Sequence, residues 1–340
     1  QKFGAGDMKA MRQTVGGAAV LTTIVTIILT TLGLLFMKPL LIFMKTPSDI
    51  FKDAYAYIMI ICAGIAAQML YNLMASILRA LGNSKVPLYF LILSALLNIA
   101  LDLLLIIVFG LGASGAAYAT VIAQGISGLL CLVYVKLKVP LLHLERDDWR
   151  PKGYLLKMQF AVGVPMALQY SITAIGTMMV QTSQNLLGSN IVAAFTAASK
   201  IEQVVTQAYV ALGTTMATYC AQNIGAGKIK RIRKGFKSST IMASIYAVVT
   251  AALIMTVGKY MTYLFVSDNV IEIMSNVDIY LKCIGVFFIP LAIVNLYRNG
   301  IQGMGYGLLP MMAGVAELIG RGIVAVIAGK MRRYPGVCLA

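Results

Sequence analysis

Between Pro87 and Gly110 the chain reads PLYFLILSALLNIALDLLLIIVFG, an apolar run holding one charge, Asp102. As a helix, a run of this length crosses a hydrocarbon core of about 30 Å. No water serves the backbone there, so each N–H and C=O must be satisfied within the segment. The run is one of nine apolar segments, at 14–37, 54–78, 87–109, 113–135, 158–180, 191–219, 238–257, 276–297 and 308–328. Apolar residues make up 59% of the chain and charged ones 12%, against about half and a quarter in a soluble domain. Period-two alternation is absent, so the spans are helices. An all-α polytopic membrane protein is expected.

The formal charge of +16 does not point to nucleic acid, because the basic residues sit in short loops between spans. If the spans alternate, one set of loops holds Lys2, Lys9, Arg12, Arg79, Lys85, the cations of 136–157, the stretch KIKRIRKGFK at 228–237, and Arg298. The other set holds only Lys38, Lys45, Lys52, Lys259, Lys330, Arg332 and Arg333. The first set is therefore predicted to be cytoplasmic, with 228–237 a candidate surface for anionic lipid. The five cysteines, Cys62, Cys131, Cys220, Cys283 and Cys338, form no CxxC and read as small buried hydrophobes. His143 and Trp149 lie in the polar linker 136–157 without a catalytic partner pattern. No metalloprotease, hydrolase or nucleotide-binding motif occurs, so an enzyme is not expected, nor a cofactor.

The chain repeats itself. QKFGAGDMKAMR at its start returns as QNIGAGKIKRIR from Gln222. Tyr57 matches Tyr280, Asn72 matches Asn295, and Gly82 matches Gly305, each glycine with a proline five residues on, Pro87 and Pro310. Two halves on one plan, each beginning on the same side, imply a pseudo-twofold axis along the membrane normal. Comparing the halves predicts a fragment of a six-plus-six protein, with about nine to ten helices present. The expected division is 1–135 for an N-terminal bundle lacking two helices, 136–157 for a cytoplasmic linker, and 158–340 for a C-terminal bundle lacking most of its last helix. Such a plan suits a transporter with its site near the midplane. Pro165 and Pro290, inside spans, are candidate kinks. The small residues of GLGASGAAYAT, 110–120, allow close helix approach.

An ionisable group at a helix centre costs roughly 2.5–3.5 kcal/mol on insertion scales and marks a functional site by default. Asp102 and Thr120 flank the turn at 110–112 at similar depth, and Asn98 precedes Asp102 by one helical turn. Carboxylate, amide and hydroxyl oxygens suit a small cation, and the carboxylate alone suits a proton. Other polar candidates are Gln169, Ser171 and Thr173 in the span 158–180, and Glu202 in ASKIEQVV. Glu317 and Arg321, four apart, are expected to pair along a helix, and Asp278 is expected at an interface. The thioethers of Met178 and Met179 suit a pocket that accepts varied shapes.

QKFGAGD, ILRALGNSKVPLY, NIALD, GLGASGAAYATVIAQ, CAQNIGAGK and AGVAELIGR, in this order, resemble the multidrug and toxic compound extrusion (MATE) family. The resemblance implies two six-helix bundles around a central cavity in the inner membrane. It implies an antiporter that expels organic, often cationic, compounds by admitting Na+ or H+. It is similar to the DinF-like branch, which implies a cation site of Asp102, Asn98 and Thr120 with Tyr57 near, completed by an aspartate of a helix this chain lacks. Asp102 falls at Ala325 in the second half, so no second copy of that site is expected. Gln169, Thr173, Glu202 and Met178 are the candidates for the substrate cavity. The expected partners are a small organic cation and the bilayer, the expected state a monomer. A flippase for lipid-linked oligosaccharide is the alternative; its cavity would need more intramembrane cations than Lys200, Lys282 and Arg321.

Overall fold

The computed structural model describes residues 1–43, 46, 48–150, 152–185, 189–264 and 270–330. Among these there is no strand, and eleven α-helices follow one another. They are α1 Met8–Phe43, α2 Ser48–Ala63, α3 Ile65–Ala80, α4 Lys85–Asp102, α5 Gly112–Lys138, α6 Gly153–Asn185, α7 Ser189–Gly225, α8 Ile229–Val257, α9 Val270–Val286, α10 Phe288–Gly303 and α11 Leu308–Lys330. Five described helices are long and apolar enough to span a membrane, and bent pairs raise this to seven.

The bent pairs are where single spans were expected. Segment 54–78 is α2 and α3, bent by 45°, and segment 276–297 is α9 and α10, bent by 53°. The breaks fall at repeat-equivalent positions, Gly64 and Phe287, but their causes differ. A Cβ at Gly64 would lie 2.2 Å from a Val121 methyl, so the bend brings bare backbone against α5. Phe287 precedes Pro290, whose ring has no N–H to donate and crowds the preceding turn. Pro165, by contrast, lies inside an unbroken α6, as Pro39 does inside α1.

The repeat is visible bond by bond. Gly82 and Gly305 both take positive φ, 88° and 99°. The next amides, Asn83 and Tyr306, reach back to Leu78 and Ile301 at 2.9 and 3.2 Å, while Gly82 and Gly305 bond Arg79 and Gln302, each at 2.9 Å. This is the left-handed helix end that glycine permits. The two GAG turns match as well. Ala5 bonds Gln1 and Ala226 bonds Gln222, both at 3.0 Å, and Gly6 and Gly227 carry φ of 73° and 68°.

The chain divides into two compact units, Asp7–Leu156 and the remainder, the latter including Gln1–Gly6. In the first unit α5 packs against α2, α3 and α4. Its buried face is small: Gly115, Ala117, Ala119, Ala123, Ser127 and Gly128. The linker closes this unit with two short 3-10 turns, Pro140–Leu142 and Arg146–Trp149. Its buried Asp148 takes the Nε of Arg12 at 3.1 Å, and its carbonyl lies where Gly16 leaves no room for a Cβ. In the second unit α7 packs against α8, α9 and α10 through a helical stripe that includes Ala194, Ala197, Ala198, Ile201 and Tyr209. In the same unit the two GAG turns meet reciprocally. A Cβ on Gly4 would lie 2.0 Å from the carbonyl oxygen of Gln222, and one on Gly225 2.0 Å from that of Gln1.

Gly4→Ala and Gly225→Ala should each cost about 1–3 kcal/mol, because backbone cannot yield as a side chain does. Gly163 has open space around its Cβ direction, so Gly163→Ala should stay within about 0.5 kcal/mol. Thermal unfolding of the purified variants checks this; a Gly225→Ala midpoint equal to wild type would show that the turns do not touch.

Candidate functional site

In the first unit, α4 carries the polar residues of the long apolar run. Two side chains pin it. The Tyr71 hydroxyl donates to the carbonyl of Pro87 at 3.1 Å, and that of Ser127 to the carbonyl of Phe90 at 3.0 Å. Asp102 is the last α-helical residue before a π-helical turn, Leu103–Val108, in which the backbone is wound one residue wider. Such turns recur at functional sites. A Cβ at Gly115 would lie 3.1 Å from the backbone of Leu105, so this turn rests closely on α5.

That approach brings Asn98 to Thr120. The Asn98 amide donates to the Thr120 oxygen at 3.4 Å, a long contact, while the Thr120 hydroxyl donates to the carbonyl of Ala116 at 2.9 Å. Because the threonine proton is committed to Ala116, its oxygen must accept, and this fixes the orientation of the amide. One turn further along, the Oδ1 of Asp102 is buried and has no hydrogen-bond partner. Asp102 is the one charge between Lys85 and Lys136. The arrangement therefore offers an unsatisfied carboxylate oxygen one helical turn from an amide that meets a hydroxyl, with no basic side chain on these spans to neutralise it. Burying such a group unpaired is costly, and a bound cation would relieve that cost. Among the described residues no three His, Cys, Asp or Glu side chains gather to hold a metal, so any metal cation here would rest on one carboxylate and neutral oxygens. Tyr57 stands on α2, 37% exposed, and makes no hydrogen bond to these three.

Of the four cavity candidates only Gln169 and Thr173 are joined by a side-chain hydrogen bond, within one turn of α6. Gln169 is buried, and its Oε1 accepts from Gln302 at 2.9 Å. Thr173 bonds back to the Gln169 carbonyl at 3.0 Å, and Met178 is exposed on α6. Glu202 accepts from the hydroxyl of Tyr280 at 2.6 Å. Glu317 pairs with Arg321 at 2.9 Å as its spacing predicts, but it also binds Arg298 at 2.8 Å. Arg298, counted among the loop cations by sequence, lies within α10 with its side chain 14% exposed. Asp278 sits within α9, paired with Lys282. Neither the Glu202–Tyr280 nor the Arg298–Glu317 contact follows from sequence spacing. The match of Tyr280 to Tyr57 was the one available signal for the former. Cys62, Cys131 and Cys220 are buried and free and Cys283 is partly buried, while Cys338 lies outside the described residues.

Comparison with known proteins agrees with this architecture. The MatE family profile matches residues 1–104 and 161–327. The chain belongs to the MatE family. "Probable multidrug resistance protein YpnP" of Bacillus subtilis is 34% identical over all of this chain and 73% of its own length. "Probable multidrug resistance protein NorM" of Thermotoga maritima is 25% identical over 91% of this chain and 67% of its own. Another Bacillus subtilis relative, "Probable multidrug resistance protein YoeA", is covered over 60% of its length. Among solved structures, a MOP superfamily transporter from Pyrococcus furiosus superposes with a TM-score of 0.93 at 22% identity, over 99% of this chain and 76% of that one. An outward-facing multidrug resistance MATE transporter superposes with a TM-score of 0.91 at 21% identity, over 99% and 77%. These likenesses establish the fold. MatE proteins are transporters and not enzymes, and this chain is a multi-pass membrane protein of that family.

Removing one arginine from the shared Glu317 should destabilise the second unit unequally. Arg298 is the more buried partner, at 14% against 34% for Arg321. Arg298→Gln should cost on the order of 2–3 kcal/mol and Arg321→Gln less than half of that. Thermal unfolding in a fixed detergent ranks the two; the reverse order would place the stronger contact at Arg321.

Proposed function

We propose that the protein is a secondary antiporter that exports organic, often cationic, compounds in exchange for Na+ or H+. The observation that carries the reading is the unpartnered Asp102 oxygen, one helical turn along α4 from the Asn98 that meets Thr120. The coupling cation is held there by Asp102, Asn98 and Thr120, with Tyr57 contributing from α2 as the bend at Gly64 shifts. An empty site leaves a buried charge uncompensated, so the protein favours whichever conformation admits water to it. An occupied site is neutral and tolerates closure. That difference couples the cation to the exchange of access from one side to the other. Its relatives YpnP and NorM are named as probable multidrug resistance proteins, which supports an organic substrate for this chain. Gln169, Thr173, Glu202 and Met178 are the residues we assign to the substrate cavity. We place the protein in the DinF-like branch and in the inner membrane as a monomer, with the basic loops cytoplasmic and 136–157 as the linker between bundles.

Inside-out vesicles that take up a fluorescent organic cation provide the test, with Na+ and H+ gradients imposed separately. Wild type should respond to one gradient. Asp102→Asn should lower coupled uptake at least about tenfold at equal membrane abundance, the loss expected for a charge-assisted contact. If Na+ is the driving ion, Thr120→Val should raise its half-saturating concentration about five- to tenfold, matching one neutral ligand. An Asp102→Asn variant as active as wild type would remove the site from the mechanism.

A further inference from the structure

The start of α8 carries Lys228, Lys230, Arg231, Arg233, Lys234 and Lys237, all exposed. Between Glu202 and Asp268 the sequence holds no acid. Among the described residues none of the six side chains makes an ion pair. We propose that Lys230, Lys234 and Lys237 form a binding surface for the headgroups of anionic phospholipids, in the leaflet where α8 begins. This does not rest on the exporter reading; it needs only that α8 crosses the membrane, as its length and composition allow.

The helix has two opposite faces. Ile232, Ala243 and Ala247 are buried on the inner one, and Phe236 beside them stacks on Tyr297 of α10 with centroids 4.6 Å apart. On the outer face Ile241, Ile245 and Val248 are 53, 60 and 55% exposed, as suits side chains that meet lipid tails. Steps of three or four residues toward the helix start lead from Ile241 to Lys237, Lys234 and Lys230. The lysines thus continue the lipid-facing row. With Ile241 at the edge of the hydrocarbon, Lys237 lies about 6 Å above it and Lys234 about 10 Å. The polar layer of one leaflet is about 5–8 Å thick, and a lysine stem can carry its ammonium back toward it. Lys230, about 16 Å up, is within about one Debye length of that layer.

The helix does not balance these charges itself. Lys230 and Lys234 are four residues apart, as are Arg233 and Lys237, and like charges at that spacing repel. They also stand at the positive end of the helix dipole, with no acid in the first turn and no side-chain cap at Lys228. The repeat-equivalent start of α1 is compensated within the protein. There Asp7 stands in place of Lys228 and accepts the amide of Ala10 at 3.0 Å, and Arg12 stands in place of Arg233 and binds Asp148 at 3.1 Å. In the second unit Glu202, Asp278 and Glu317 have other partners. An anionic headgroup supplies the missing counter-charge on the side and at the depth where the row stands. A zwitterionic headgroup brings no net charge. A soluble polyanion approaches from the helix end, and Lys237 lies below it at headgroup level.

The test titrates the purified protein in neutral detergent with phosphatidylglycerol, or with phosphatidylcholine of the same chains, and counts retained lipid by native mass spectrometry. Wild type should hold phosphatidylglycerol at least about tenfold more tightly, and the preference should shrink as salt rises. The triple variant Lys230→Gln, Lys234→Gln, Lys237→Gln should lose most of the preference, and the same three changed to Arg should keep it. Arg146→Gln, Arg150→Gln, Lys152→Gln removes equal charge from exposed linker positions and should alter the preference less than about twofold. In phosphatidylcholine nanodiscs the glutamine triple should unfold at a midpoint no lower than wild type, because the lost charges repelled one another. A lower midpoint would show that the lysines are held by the protein and would overturn the proposal. So would equal retention of both lipids by wild type, an unmoved preference in the glutamine triple, or an equal loss in the linker triple. Displacement of phosphatidylglycerol by inorganic phosphate or a short oligonucleotide at equal charge concentration would assign the surface to a soluble anion instead.

Discussion

In hydrocarbon, two helices gain nothing by hiding leucine from each other, since lipid is equally apolar. What holds them is how closely their backbones approach. This constraint explains why the tight contacts fall on glycine and alanine. Gly128 faces the amide of Tyr71, Gly303 faces the carbonyl of Ala217, and Gly213 lies against Asn299. Ala117, Ala119, Ala198 and Ala247 have no exposure at all, while many large aliphatic residues, such as Ile107 and Leu35, point outward. This distribution inverts that of a soluble protein. The polar side chains that matter are positioned by the same contacts: Asn98 meets Thr120 because Gly115 lets the turn after α4 rest on α5.

Charge is managed differently in the two units. The spans α4 and α5 isolate one carboxylate among neutral groups, one of its oxygens buried without a partner. The second unit gathers carboxylates and guanidiniums into short-range pairs, so most of its buried charge is settled internally. The shared bend of α2–α3 and α9–α10 survives this divergence although glycine makes one and proline the other. The two units thus share a backbone plan while differing in the chemistry placed on it.

Much of this could be read from sequence, because in a membrane composition and length carry the fold. The spans, the repeat, the glycine-terminated helices before Pro87 and Pro310, and the Glu317–Arg321 pair all have local signatures. Asp102 was conspicuous as a lone charge in an apolar run. Contacts between distant segments were not legible. Arg298 looked like a loop cation because it follows a span in sequence, yet its guanidinium turns back to α11. The bend at Gly64 has no local mark, since glycine is common in spans and the reason for this one is Val121 on another helix. Gln169 has its hydrogen-bond partner, Gln302, 133 residues away. In each case the deciding partner lies far along the chain, where spacing gives no information.

The two GAG turns carry a consequence of another kind. Gly4 sits on the carbonyl of Gln222, and its repeat counterpart Gly225 sits on the carbonyl of Gln1, so each turn presents the same surface to the other. Self-complementary contacts of this form belong to twofold dimers of identical subunits. The repeat therefore places within one chain the kind of contact that two identical half-length chains would make with each other. Within one chain the two turns need not be alike: the second is followed by the basic run KIKRIRKGFK, the first by Asp7 and fewer cations. At either glycine a side chain would collide with the backbone of the other turn.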